Sequence, residues 1–139
     1  MTISIRRARF PDYLFIRRVR NDSRRMMTGN QKRLTLWDQL KFWWRKPSNV
    51  HLYIAKINGK RAGYLLLHTV GKETYITEVV SAEYRREGLG AAMISYAQVK
   101  HQQLVAEIFD FNAQSINLHI RSGFRLESEI DGKMTYLWP

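Results

Sequence analysis

The most informative segment of the sequence is Val79-Val80-Ser81-Ala82-Glu83-Tyr84-Arg85-Arg86-Glu87-Gly88-Leu89-Gly90-Ala91-Ala92. An apolar run ends in a short loop, the loop carries two glycines, and a helical pattern follows. Glycine lets a backbone approach a ligand closely, and the first N–H groups of a helix have no partner inside it. With the charges of Arg85 and Arg86, the segment predicts an anion site suited to a pyrophosphate. A tight turn that needs glycine only for its backbone is an equally open interpretation.

Two common phosphate-binding motifs do not fit this stretch. No Gly-Lys-Ser/Thr sequence follows the glycines, which excludes a Walker P-loop. The glycine pattern is also too short for a dinucleotide fingerprint, which requires a parallel strand–helix–strand unit.

Hydrophobic periodicity on both sides of the stretch predicts an α/β fold with a mostly antiparallel mixed sheet of about seven strands and about four helices. Strands are predicted over residues 3–8, 50–57, 62–70, 73–80, 104–109, 125–129 and 133–137. Helices are predicted over residues 11–20, 34–45, 88–102 and 112–122, with a loop at 21–23. No repeat or linker interrupts the pattern, so we expect a single domain spanning residues 1–139.

The composition excludes several classes of protein. The 139 residues contain no cysteine, which rules out disulfide scaffolds, cysteine metal sites and thiol nucleophiles. No metal site is predicted from the remaining residue types. No apolar run approaches the roughly 18 residues of a membrane span, and the N-terminus becomes charged too soon for a signal peptide. We therefore expect a cytoplasmic protein.

Positive charge is concentrated in the first third of the chain. Residues 1–46 carry thirteen Lys and Arg against three Asp, so +10 of the net charge of +11 lies there. Such a block attracts the phosphates of a nucleic acid, a nucleotide ligand or a lipid surface. The alternative is a solvated basic face that only aids solubility.

The chain resembles the GNAT superfamily of N-acetyltransferases, which use acetyl-CoA. The segment 85–90 matches the family's Gln/Arg-x-x-Gly-x-Gly/Ala motif at its full length. The segment 112–124, with the sequence NAQSINLHIRSGF, is similar to the family's later helix, Asn-x-x-Ala-Ile-x-Leu-Tyr-x-x-x-Gly-Phe. The predicted order of elements also resembles that of the family, so the resemblance covers nearly the whole chain.

The resemblance implies how acetyl-CoA is held. Loop amides are expected to bind the pyrophosphate, backbone groups at the end of the preceding strand to contact the pantetheine arm, and the helix-opening asparagine to contact the same arm. The residues implicated in binding CoA are Val79, Val80, Arg85, Arg86, Glu87, Gly88, Leu89, Gly90, Ala91 and Asn112. For Asn112, a plain helix cap is the alternative, and both roles are compatible.

The resemblance also implies direct attack of an amine on the thioester, which needs a base and an acid. His119 occupies the position of the tyrosine that often acts as the general acid in this family, which makes it the candidate acid. A packing role for His119 is the alternative. Glu78 is the candidate base, because strand alternation places it on the face of Ile76 and Val80 near the motif. Its alternative is a structural ion pair. Weaker candidates for the base are Glu73 and His68, and the phenols of Tyr96 and Tyr136 do not match the motif position.

The acceptor is expected to contact the first two helices. Residues 18–27 resemble a segment of relatives that acetylate nucleotide-linked amino sugars, which implies substrate contacts by Arg20, Asn21 and Arg24. The aromatic residues of 37–44 are expected either to stack on a ligand or to pack the second helix. The alternatives are a macromolecular acceptor, such as a protein amine or an aminoacyl-tRNA, and a non-catalytic CoA-binding module. A monomer and a homodimer are both compatible with the sequence.

Overall fold

The chain folds around one mixed β-sheet with helices on both faces. The computed structural model describes residues 1–29 and 31–139. Within these residues the strands are β1 (Ile3–Arg7), β2 (Val50–Ile57), β3 (Lys60–Val70), β4 (Glu73–Val80), β5 (Leu104–Phe109), β6 (Arg125–Ile130) and β7 (Lys133–Trp138). The helices are α1 (Asp12–Asp22), α2 (Leu36–Arg45), α3 (Leu89–Lys100) and α4 (Ala113–Arg121), with 3₁₀ turns at Arg24–Met26 and Ala82–Tyr84. The predicted fold class is confirmed.

The sheet has the strand order β1-β2-β3-β4-β5-β7-β6. Its described pairs are antiparallel except β4 and β5, which are parallel. That parallel pair has a single register match, between Tyr75 and Val105. Beyond this match the carboxyl-terminal halves of β4 and β5 do not pair with each other, so the sheet opens between them.

Side chains alternate across β4 and build two separate cores. Ile76 and Val80 belong to the core under α3, together with Met93 and Ile94 of that helix. Val79 points to the opposite face and packs in the core under α1 and α2. The period-two alternation of a strand therefore places Glu78 on the α3 and α4 side of the sheet, as predicted.

Helix α1 ends two residues later than predicted, at Asp22, and this corrects the expected loop at 21–23. Asn21 is buried, and its side-chain amide donates to the carbonyl of Leu34 at 2.9 Å and accepts from the N–H of Leu34 at 2.7 Å. Because these bonds satisfy the amide, it does not compete with the helical backbone, and the helix continues to Asp22.

The aromatic residues of α2 divide between packing and exposure. Trp43 packs edge-on against Tyr13 of α1, with ring centroids 4.8 Å apart, and Phe42 lies in the same core. Trp37 and Trp44 face away from α1 and are 64% and 82% exposed. No helix in the described ranges is long and apolar enough to cross a membrane.

A buried carboxylate anchors the start of α1. Asp12 is 1% exposed and accepts two hydrogen bonds from Arg6, one from Nε of Arg61 at 2.8 Å, and one from the N–H of Arg9 at 2.7 Å. Burial raises the pKa of Asp12, but these hydrogen bonds outweigh it and hold the pKa far below its ordinary value. Asp12 thereby ties α1 to β1 and β3.

Asp12→Ala is expected to lower the free energy of unfolding by roughly 2–3 kcal/mol, because it leaves two arginines without their buried partner. This is below the full cost of breaking a buried pair, since the arginines are partly exposed. Urea unfolding followed by tryptophan fluorescence measures the change. Glu127→Gln, at an exposed carboxylate of β6, is the control and should change stability little.

Because of Asp12, the free energy of unfolding is expected to decrease as the pH falls in the acidic range. The pKa of Asp12 in the folded chain lies below the value of about 3.9 in the unfolded chain, so its contribution is present above about pH 4 and is lost as the pH falls below it. Unfolding experiments between pH 7 and pH 3 should show a smaller loss in Asp12→Asn than in the wild type. Equal slopes for both proteins would contradict this assignment.

Candidate active site

A cleft of about 530 Å³ opens where β4 and β5 separate. Its walls are residues 76–80 of β4, residues 106–108 of β5, the loop and helix start at 84–91, and one side of α4. Since β4 has no strand partner on this side beyond Tyr75, its backbone edge is available to a ligand. A bound molecule can form backbone hydrogen bonds there in place of a neighbouring strand.

The loop at one end of the cleft is shaped by backbone constraints. Arg86 and Gly88 both adopt positive φ angles, 66° and 83°. Helix α3 starts at Leu89 without a side-chain cap, so the N–H groups of its first turn have no partner in the helix. Gly90 packs so closely against α4 that an added Cβ would lie 2.8 Å from Leu118. These amides, the helix dipole and the neighbouring arginines give this end of the cleft the hydrogen-bond donors and positive potential that suit a phosphate anion.

Most of the residues predicted to bind CoA line this cleft. They are Val79, Val80, Arg85, Arg86, Gly88, Leu89, Gly90, Ala91 and Asn112. Glu87 is exposed and does not line it. Asn112 also caps α4, because its side-chain oxygen accepts from the N–H of Ser115 at 3.3 Å.

The two predicted catalytic residues meet inside the cleft. Nε2 of His119 lies 3.0 Å from Oε1 of Glu78, and the two side chains are 2% and 7% exposed. The oxygen lies off the axis of the ring N–H, so the contact is an ion pair rather than a well-directed hydrogen bond. The other oxygen, Oε2 of Glu78, is buried without a hydrogen bond from any described residue.

Helix α4 fixes the orientation of the His119 ring. Nδ1 lies 2.7 Å from the carbonyl oxygen of Ser115, and the ring packs edge-on against Phe124 with centroids 5.0 Å apart. A carbonyl only accepts, so Nδ1 donates to Ser115, and in the protonated ring the proton on Nε2 faces Glu78. Sequence reasoning missed Ser115, although its position four residues before His119 on one helix was a usable signal.

Two opposing effects act on the charge of His119. Burial lowers the pKa of the imidazole, but the charge and close contact of the Glu78 carboxylate and the hydrogen bond to Ser115 outweigh it, so the pKa is raised above its ordinary value. The carboxylate of Glu78 therefore favours the protonated form of the ring. Such a pair can take up one proton and supply another.

The three residues predicted to bind the acceptor do not line the cleft. The amide of Asn21 is satisfied by Leu34, Arg20 donates to the carbonyl of Lys32, and Arg24 lies in the 3₁₀ turn after α1. That side of the cleft is formed instead by Ser23, Met26, Met27 and Thr28. Met26 and Met27 belong to the segment 18–27 that resembles the relatives, but the residues predicted from it as substrate contacts were Arg20, Asn21 and Arg24 rather than the methionines.

The weaker sequence candidates lie elsewhere in the fold. Tyr136 is buried in the core under α3, and Tyr96 packs against Tyr53. Glu73 and His68 do not line the cleft. In the described part of the chain, no group of three or more His, Asp or Glu residues is placed to hold a metal ion.

Comparisons with known proteins agree with this geometry. The Acetyltransferase (GNAT) family matches residues 16–124. A domain from Methanocaldococcus jannaschii superposes with a TM-score of 0.87 at 15% identity, over 99% of this chain and 97% of that one. An N-acetyltransferase from Staphylococcus aureus Mu50 gives 0.84 at 19% identity, over 99% and 98%. No curated protein sequence matches the chain.

One similar structure contains the expected acetyl donor. A GNAT superfamily phosphinothricin acetyltransferase from Sinorhizobium meliloti, in complex with acetyl-CoA, gives a TM-score of 0.82 at 20% identity, over 100% of this chain and 89% of that one. The fold, the cleft and the family match define the class of protein as an acyltransferase. The chain belongs to the GNAT acetyltransferase family.

The charge state of His119 can be tested by replacing its partner. In Glu78→Gln the pKa of His119 should fall below its ordinary value, because burial then acts without the opposing carboxylate. A nitrogen-detected NMR titration of the imidazole measures the shift. Glu107→Gln removes another carboxylate that lines the cleft, one that pairs with Lys133 at 3.2 Å, and should leave His119 unchanged.

Proposed function

We propose that this chain transfers the acetyl group of acetyl-CoA to a primary amine by direct attack in the cleft between β4 and β5. The observation that carries the proposal is the Glu78–His119 contact of 3.0 Å inside a cleft that begins at a phosphate-binding loop. An acid–base pair and an anion site along one cleft are what a thioester-to-amine transfer requires.

The donor would be held by the loop and the open strand edge. The free amides at the start of α3, with Arg85, Arg86, Glu87, Gly88 and Gly90 around them, would bind the pyrophosphate. The remaining proposed CoA contacts are Val79, Val80, Leu89, Ala91 and Asn112. The unpaired edge of β4 supports this proposal, because its amides and carbonyls are oriented toward the position of the missing strand.

In the proposed reaction Glu78 takes a proton from the acceptor ammonium, and the free amine attacks the thioester carbonyl carbon. The C–N bond forms, the C–S bond breaks, and the sulfur leaves as a thiolate that receives the Nε2 proton of His119. The acceptor nitrogen loses two protons in going from ammonium to amide. In the overall balance one of them corresponds to the proton gained by the thiolate, and the other is released to solvent. A proton on Glu78 can return to His119 across their 3.0 Å contact.

The acceptor side of the cleft favours a small amine. Met26 and Met27 offer an apolar, adaptable wall to the cleft that also contains the carboxylate of Glu78. Such a wall suits an amine carried on a partly apolar or sugar-like group.

A macromolecular acceptor is the second candidate, and the exposed face of α2 favours it. Trp37 and Trp44 are largely exposed, and Lys41 lies 5.6 Å above the Trp37 ring. Such a face offers stacking and cationic contacts to an RNA or a protein. Thiol release measured over amino-sugar nucleotides, polyamines, peptides and aminoacyl-tRNA separates the two candidates.

The loop assignment is tested by Gly88→Val, which forces a branched residue into a positive φ angle. Acetyl-CoA affinity in calorimetry should fall at least about tenfold, since each lost charge-assisted contact is worth roughly 1.5–3 kcal/mol. Gly71→Val is the matched control, because Gly71 also has a positive φ, of 62°, but lies in the β3–β4 turn. Equal losses of affinity in both variants would contradict the assignment.

The acid role is tested by His119→Phe. Turnover should fall about 10²-fold or more while acetyl-CoA affinity changes little, because a proton donor typically contributes 10²–10⁴. His119→Tyr should recover part of the rate and extend activity to higher pH, since a phenol keeps its proton longer than an imidazolium. His68→Phe, outside the cleft, is the control. Unchanged turnover in His119→Phe would reject the role.

A further inference from the structure

A second cavity of about 480 Å³ lies next to the cleft, on the α1 side of the sheet. We call it the basic pocket. Its charged lining residues and the tyrosine beside them are Arg18, Lys56, Lys60, Arg61, Glu83 and Tyr84. It holds four cations and one carboxylate. Tyr84 lines both the basic pocket and the cleft, so the two cavities share a wall.

The strand register concentrates like charges in this pocket. Lys56 of β2 pairs directly with Arg61 of β3, next to a register shift at Ala55 and Lys56. Directly opposed residues point to the same face with Cβ atoms about 5 Å apart, and like charges in such a pair are destabilising. Neither the Lys56 nor the Lys60 ammonium forms a hydrogen bond or ion pair with a described residue. An anion bound among Lys56, Lys60 and Arg61 would offset the repulsion between these like charges.

Arg61 is oriented before any ligand arrives. Its Nε donates to the buried Asp12 at 2.8 Å, while 41% of the side chain stays exposed. This single bond leaves the two terminal nitrogens of the guanidinium available. A guanidinium fixed in this way loses little entropy when it binds the oxygens of a phosphate.

Arg18 is positioned more weakly on the opposite wall. Its guanidinium lies 5.5 Å from the Phe15 ring centre and 3.8 Å from the carboxylate of Glu83. Both members of this ion pair are more than half exposed, so the pair contributes little and yields readily to a stronger anion. Two guanidiniums and two ammoniums around one cavity match a multiply charged phosphate group better than a single carboxylate.

We propose that the basic pocket binds the diphosphate or phosphate group of the acceptor, so that the acceptor is a phosphate-bearing amine. The assignment to the acceptor rests on the proposed acetyl transfer, because Tyr84 lines both the basic pocket and the cleft in which Glu78 and His119 lie. The binding of phosphate itself follows from the pocket alone. This places the anion contacts in the β2–β3 hairpin and α1 rather than at Arg20, Asn21 and Arg24.

The binding test uses inorganic pyrophosphate titrated into the full chain already saturated with CoA, so that the α3 loop is occupied. The wild type should bind it, and the double variant Lys56→Gln/Lys60→Gln should bind at least about tenfold more weakly, as expected for losing charge-assisted contacts. The variant Lys41→Gln/Lys72→Gln removes the same charge from α2 and the β3–β4 turn and should behave like the wild type. Equal weakening in both variants, or pyrophosphate binding only without CoA, overturns the proposal.

The acceptor test compares matched amines in acetyl transfer, namely phosphoethanolamine against ethanolamine and a nucleotide-linked amino sugar against the free sugar. The phosphate-bearing member of at least one pair should have the higher kcat/KM, and Lys56→Gln/Lys60→Gln should remove that advantage through KM. Pyrophosphate binding without any such preference would mean that the pocket takes a free anion, which overturns the acceptor assignment. Pyrophosphate binding in a chain that does not bind acetyl-CoA would instead refute the proposed function and leave the phosphate site standing.

Discussion

β4 and β5 form the parallel pair of the described sheet, and they are joined at Tyr75 and Val105 alone. Unpaired backbone groups in a sheet are unfavourable unless water or a ligand satisfies them. The interrupted sheet is stable because each of the two strands pairs with a neighbour on its other side, β4 with β3 and β5 with β7. The cleft, the exposed edge of β4 and the access to Glu78 all follow from that one interruption.

The opening also explains why two ionisable side chains are buried together. Glu78 projects from the free half of β4, and His119 approaches it from α4 across the gap. Their approach offsets part of the cost of burying them, because the carboxylate of Glu78 raises the pKa of His119 against the effect of burial. A pair of this kind is poorly suited to a purely structural role, because Oε2 of Glu78 remains without a partner among the described residues.

Local patterns in the sequence predicted most of the fold. Hydrophobic periodicity was sufficient to predict strands β2 and β5, and the glycine motif located the start of α3. The meeting of Glu78 with His119 was not predictable, because it depends on how α4 crosses the open sheet. The inward turn of Asn21 depends on Leu34, thirteen residues later, so no local pattern indicated that α1 continues or that Arg20 and Arg24 lie away from the cleft.

The close approach of Gly90 to Leu118 joins two parts of the site that are far apart in sequence. Gly90 belongs to the first turn of α3, whose amides face the cleft, and Leu118 immediately precedes His119. The absence of a side chain at position 90 leaves room for Leu118 beside the first turn of α3. Any larger residue at position 90 would press on the part of α4 that carries His119, so the spacing between these two helix segments is set by a missing atom rather than by a bond.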